Sequence, residues 1–163
     1  MKRLNLALAA LVLVLPPTRA AEPQPGTKLA LVRDPKVLKD LKVTDAQASK
    51  LKDAKDEASL LAALRVEQLK QLTQISYATR GGAALMDEAV QNELALTDAQ
   101  KADAKRIWTR KEVELGMFLK VARFRNAQAR TNYILDKRKG AGEALLGLLT
   151  DAQRKTFAAM QGK

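Results

Sequence analysis

The chain has 163 residues, with 29 Lys and Arg against 18 Asp and Glu, no His and no Cys. Without His and Cys there are no disulfides, no usual zinc or copper ligands, and no catalytic triad or base built on imidazole or thiolate. One Trp, two Tyr and three Phe leave an aliphatic, Ala-rich apolar content. Such a thin core favours extended helices or a dimer that completes it.

The N-terminus reads as a secretory signal peptide. Lys2 and Arg3 precede an apolar run over residues 4–15, closed by Pro16 and Pro17, and Thr18-Arg19-Ala20 puts small residues where a signal peptidase reads them. The run is too short to span a bilayer, so cleavage after Ala20 and a periplasmic location are expected. Residues 21–33, with Pro23, Pro25 and Gly26, are expected to be a flexible leader, and 34–163 a single helical domain. No second apolar stretch approaches membrane-spanning length, and no Asp-rich loop has calcium-binding spacing. No metal or cofactor is therefore expected.

Asp34-Pro35 has the form of an N-cap followed by Pro at the first helical position, and opens a short helix over 35–41. The main motif follows. Val43-Thr44-Asp45-Ala46-Gln47 recurs as Leu96-Thr97-Asp98-Ala99-Gln100 and as Leu149-Thr150-Asp151-Ala152-Gln153, at a spacing of 53 residues each time. Thr-x-x-Gln is a capping box. The Thr hydroxyl accepts from the backbone N–H three residues on, and the Gln side chain returns a bond to the Thr N–H. The Asp places a negative charge at the positive end of the helix dipole. Thr44/Gln47, Thr97/Gln100 and Thr150/Gln153 are thus helix starts.

A long helix is predicted over 45–78, with Leu51, Ala54, Ala58, Leu61, Leu64, Leu72 and Ile75 as its apolar stripe, interrupted by Gln68. Arg80-Gly81-Gly82 should end it. A short helix over 87–94 leads to the second box. A second long helix is predicted from Asp98 to Lys139-Gly140, with Trp108, Leu115, Phe118, Leu119, Ala122, Ala129 and Tyr133 on its apolar face. A terminal helix over 151–161 is anchored by Phe157. The expected fold is all-α, an elongated antiparallel helical hairpin or bundle of two long helices with short terminal helices.

The charge is concentrated. Removal of Lys2, Arg3 and Arg19 with the signal peptide leaves 26 basic residues against 18 acids, a net +8. Residues 101–139 hold 12 bases and four acids, also +8, so the second long helix carries the whole excess. Such a surface attracts anionic partners with a salt-dependent affinity. Nucleic acid is the usual partner of a basic patch, but export argues against it. Acidic unfolded proteins, an anionic membrane surface and polyanionic surface polymers remain. Ser49, Ser59 and Ser76 lie within predicted helix without an activating base, and adjacent acids such as Asp56-Glu57 point to different sides of a helix. No catalytic constellation is present, and an enzyme is not expected.

Leu96-Thr97-Asp98-Ala99-Gln100 and Leu149-Thr150-Asp151-Ala152-Gln153 resemble the LTxxQ motif of the Spy/CpxP family of bacterial periplasmic stress proteins. That resemblance implies a homodimer of long antiparallel helices forming a cradle that holds unfolded or aggregation-prone proteins without ATP. The third box, Val43-Thr44-Asp45-Ala46-Gln47, departs from the family pattern. Asp34-Pro35-Lys36-Val37 and residues 67–72 (EQLKQL) also resemble a broad group of exported helical proteins with several such boxes. The functional expectation is a holdase-like binding protein. Arg106, Arg110, Arg123, Arg125 and Arg130 would attract clients, and Trp108, Leu115, Phe118, Leu119 and Phe124 would form apolar contacts or core. The alternative is an envelope-associated structural protein whose basic helix binds an anionic lipid or polyanion surface.

Overall fold

The computed structural model describes residues 26–163; the predicted signal peptide and its cleavage point lie outside that range. The described chain is all-α. Its helices are α1 (Lys28–Leu31), α2 (Pro35–Asp40), α3 (Asp45–Lys52), α4 (Glu57–Ala63), α5 (Val66–Arg80), α6 (Glu88–Glu93), α7 (Asp98–Val121), α8 (Ala127–Leu146) and α9 (Asp151–Met160). A 3-10 segment, Gly81–Met86, joins α5 to α6, and no strand occurs among the described residues.

All three Thr boxes form as the sequence predicts. Thr44, Thr97 and Thr150 accept from the N–H of Gln47, Gln100 and Gln153, whose side chains accept from the Thr N–H at 3.0 Å in each case. The short helices α2, α6 and α9 fall where they were expected, and α5 stops at Arg80 with Gly81 at positive φ. The two long helices do not form as predicted, because each is cut by a cap within its apolar pattern. Over 45–78, Asp56 caps α4 by accepting from the Ser59 N–H at 2.8 Å, and Gln68 accepts from the Arg65 N–H at 2.9 Å to open α5. The break shifts the register, so Leu60 is buried while Ala58 and Leu61 are exposed. Over 98–139, Asn126 caps α8 by accepting from the Ala129 N–H at 2.8 Å, and the chain turns back at 122–126. Gly140 does not end a helix; α8 continues through it to Leu146. At the front, α1 packs on α4 and α5, and Val32 is buried, so the packed unit includes residues assigned to a flexible leader.

The interrupting Gln68 has a function that its place in the stripe conceals. Its Nε2 donates to the Leu41 carbonyl at 3.0 Å, and its Oε1 accepts from Gln47 Nε2 at 2.8 Å, which also donates to the Ala63 carbonyl. The second half of the chain builds the same clasp. Gln100 Nε2 donates to Gln153 Oε1 at 2.9 Å and to the Leu148 carbonyl, while Gln153 Nε2 donates to the Leu94 carbonyl. Gln47 therefore corresponds to Gln100, and Gln68 to Gln153. Buried side chains correspond too. Val37, Leu41, Leu51, Leu60, Leu64 and Leu72 in the first core cluster match Val90, Leu94, Ala104, Leu145, Leu149 and Phe157 in the second. Lys42 and Ala95, 53 residues apart, both take positive φ before their boxes. The chain is one plan executed twice.

This correspondence changes the meaning of the equal box spacing. The first interval, Thr44 to Thr97, is the repeat. The second, Thr97 to Thr150, lies inside one unit. The clasped glutamines are 21 residues apart in the first unit and 53 in the second, a difference of 32. The added length is the outer part of α7 and α8.

The two clusters meet through the 3-10 segment, which packs on α5, α6, α7 and α8. Gly82 crosses α8 at Gly142 so closely that a Cβ on Gly82 would overlap the Gly142 carbonyl. The overlapped group is backbone, which cannot swing aside. Gly82→Ala is therefore expected to lower stability by about 1–3 kcal/mol or more, whereas Gly116→Ala, in open space, should stabilise α7 by up to about 1 kcal/mol. Thermal or urea unfolding of the two variants tests this; equal midpoints would contradict the crossing. Gln153→Ala leaves the Leu94 carbonyl and Gln100 amide without their partner and should cost about 1–3 kcal/mol. In a double-mutant cycle with Gln100→Ala, a coupling of about 0.5 kcal/mol or more is expected.

Candidate functional site: the arm formed by α7 and α8

Helices α7 and α8 have 24 and 20 residues, about 36 and 30 Å long. They pair antiparallel across the turn at 122–126. Two contacts fix the register. Arg138 bonds Glu112 with both Nε and Nη2 at 3.0 Å, and the Phe118 ring stacks on Tyr133 with centroids 4.7 Å apart. Phe124, in the turn, folds back against both rings, at 6.4 Å from Phe118 and 5.6 Å from Tyr133. Lys137 Nζ lies 5.2 Å from the Tyr133 centroid. The aromatic trio and the Asn126 cap together explain why the chain reverses here without Pro or Gly.

This geometry sorts the predicted apolar contacts. Leu115 is buried between the helices, and Trp108 is half-buried against the second core cluster. Leu119 and Phe124 are half-buried. Phe118 is 42 % exposed but engaged by Tyr133. The five thus belong mainly to the seam and the core. Sequence reading missed the free apolar groups: Val113 (54 % exposed), Met117 (58 %) and Val121 (79 %) recur every four residues along the face of α7 turned away from that seam. The spacing was readable, but a periodic pattern does not say which of two apolar faces is covered.

The predicted basic residues are all at the surface. Arg106 and Arg110 share the outer face of α7 with Val113 and Met117. Arg106 pairs with Asp103 and Arg110 with Glu114, at 2.8 and 2.9 Å. Hydrogen bonds from Lys111 and then Arg110 hold the Glu114 carboxyl below its ordinary range. These exposed pairs contribute little to stability and leave both guanidinium groups accessible. Arg123, Arg125 and Arg130 cluster instead at the tip, with Lys120. None of the four is in an ion pair among the described residues. Residues 115–135 contain no acid.

The three predicted-helix hydroxyls do not form a reactive site. Ser59 Oγ donates to its cap Asp56 at 2.6 Å, the buried Ser76 Oγ donates to the Gly26 carbonyl at 2.7 Å, and Ser49 is exposed. Among the described residues, no group of three or more acids is placed to hold a metal ion, and no helix is long and apolar enough to cross a membrane. No protein-family model, curated protein or solved structure matches the chain.

With so little buried beyond Leu115, the outer arm depends on the aromatic trio. Phe118→Ala should lose the stacking, worth about 0.5–1.5 kcal/mol beyond area burial. In hydrogen exchange, amides over 116–135 should then exchange faster while those of the second core cluster stay unchanged. Uniform loss of protection over both would mean that the arm and the body unfold together.

Proposed function

We propose that this protein is an exported, ATP-independent binding protein that holds non-native polypeptides on the outer face of α7. The observation that carries the reading is the placement of Arg106 and Arg110 directly followed by Val113 and Met117 on one exposed helix face. Apolar segments exposed by unfolded clients would cover Val113 and Met117, and client carboxylates would meet the guanidinium groups. Half-exposed aliphatic side chains of this size contribute about 1–2 kcal/mol each on burial. Set against the cost of association, that supports weak, reversible capture. Weak capture suits a protein acting where no ATP is present to drive release. The resemblance of the boxes to LTxxQ proteins supports the same reading, as does the absence of any recognisable catalytic constellation.

The reading moves client contact from Trp108, Leu115, Phe118, Leu119 and Phe124 to the outer stripe. It keeps Arg106 and Arg110 as the electrostatic component. The expected homodimer enters here as a competitor, since a second copy seated on the same stripe would hide it.

Light scattering by a chemically denatured acidic client tests the proposal. Equimolar protein should slow aggregation at physiological salt, with protection falling as salt rises. Val113→Ser/Met117→Ser and Arg106→Gln/Arg110→Gln should each reduce protection severalfold without changing the far-ultraviolet circular dichroism. Failure of the parent protein to slow aggregation, at concentrations where sedimentation shows a monomer, would sink the holdase reading.

A further inference from the structure

A separate set of observations concerns the end of the arm. Lys120, Arg123, Arg125 and Arg130 are exposed, are in no ion pair among the described residues, and have no acid within residues 115–135. The acids of α7 and α8, Asp98, Asp103, Glu112, Glu114, Asp136 and Glu143, all lie nearer the body, and Asp103, Glu112 and Glu114 are paired there with Arg106, Arg138 and Arg110. Amid the unpaired cations stands Val121, 79 % exposed and the most exposed large apolar side chain described. It closes α7 at the turn, one helical turn beyond Met117.

The geometry points to the tip of the arm as a docking site for an anionic phospholipid bilayer, with Val121 entering the headgroup region and Lys120, Arg123, Arg125 and Arg130 meeting lipid phosphates. Charge complementarity selects an anionic partner, and shape selects the bilayer. The site is the end of a two-helix arm, where a highly exposed apolar side chain stands among exposed cations. A polypeptide would need a groove or a flat face to lie along. A fluid lipid surface can close around a protruding point, and the aliphatic stems of Lys and Arg can follow it to the interface. The cations act at short range, each contributing about a fivefold factor in membrane affinity near an anionic surface. Four cations and one or two apolar side chains make a reversible contact that salt should release. The inference does not depend on the holdase reading, because it uses different residues and places the protein at a membrane whether or not the α7 stripe holds clients.

The lack of native Cys allows a clean test. Protein purified from cells after any N-terminal processing would carry an environment-sensitive fluorophore on Val121→Cys or, as a control on the body, on Val66→Cys, which is 77 % exposed at the start of α5. With vesicles of phosphatidylcholine and about one third phosphatidylglycerol, the Val121 label should shift to the blue and the Val66 label should not. Neither should respond to pure phosphatidylcholine. Replacing Lys120, Arg123, Arg125 and Arg130 by Gln one at a time should weaken vesicle binding about fivefold each, and all four together should abolish co-sedimentation, with circular dichroism unchanged. Val121→Asp keeps the cations and should also weaken binding. Tip docking is overturned if nothing sediments, if both labels shift alike, or if the fourfold variant binds like its parent. It is also overturned if soluble polyglutamate shifts the Val121 label while anionic vesicles do not.

Discussion

The pairing of two glutamine amides at the meeting point of two helix starts is the constraint on which the fold depends. Each clasp brings the N-termini of two helices together, α3 with α5 and α7 with α9. Two helix N-termini placed side by side bring like partial charges and up to four unsatisfied N–H groups each into proximity. The N3 glutamines address both problems. Each Oε1 accepts from its own helix start, each Nε2 reaches a carbonyl of the opposite segment, and the two amides bond to each other. Asp45, Glu67, Asp98 and Asp151 in the first turns offset the paired dipoles. Because the carbonyls reached are those of Leu41, Ala63, Leu94 and Leu148, beside buried leucines, the polar clasp also sets the register of the apolar core around it.

Once the clasp and its leucine shell are in place, each unit is complete without an arm. The first unit demonstrates this: it closes the same clasp over a short α3–α4 connection. The second unit keeps the matching core positions Val90, Leu94, Ala104, Leu145, Leu149 and Phe157 and extends α7 and α8 beyond them. The extension is therefore free of core duty along most of its length. Its side chains answer to the hairpin seam on one side and to solvent or partners on the other, and its outer part belongs to the low-stability end of the molecule. That the excess positive charge lies on this added segment and not on the repeated body separates the requirements of folding from those of binding.

How far the sequence could be read followed from where each signal was written. The Thr boxes were legible because side-chain oxygen, acid and Gln all appear at fixed offsets. The box at Arg65 was hidden because only its backbone N–H takes part, and Gln68, the residue that makes it, looked like a polar flaw in an apolar stripe. Asp56 and Asn126 are favoured N-cap types, yet each sits in a run without Gly or Pro whose apolar periodicity continues across the break. Periodicity alone favoured a continuous helix there, and tertiary contacts decided otherwise: the aromatic trio at the arm tip and the packing of α3 on α4. The close crossing of Gly142 was not legible, because its partner, Gly82, is 60 positions away in sequence. The basic helix was found by counting charges, but its division into a base that holds acids and a tip that holds none needed the turn at 122–126.

That division is set by the acids more than by the bases. Basic residues run from Lys101 to Lys139 along both helices, so their distribution alone singles out no region. Acids occur only toward the body, ending at Glu114 on α7 and resuming at Asp136 on α8. From Glu114 to Val121 is seven residues, about 10 Å along the helix axis, which is close to the distance over which physiological salt screens exposed charges. The tip cations consequently feel one another more than they feel the acids at the base. Their mutual repulsion is relieved when an anionic partner arrives, which makes binding at the tip more salt-sensitive than at the base of the arm, where Asp103, Glu112 and Glu114 already offset part of the positive charge.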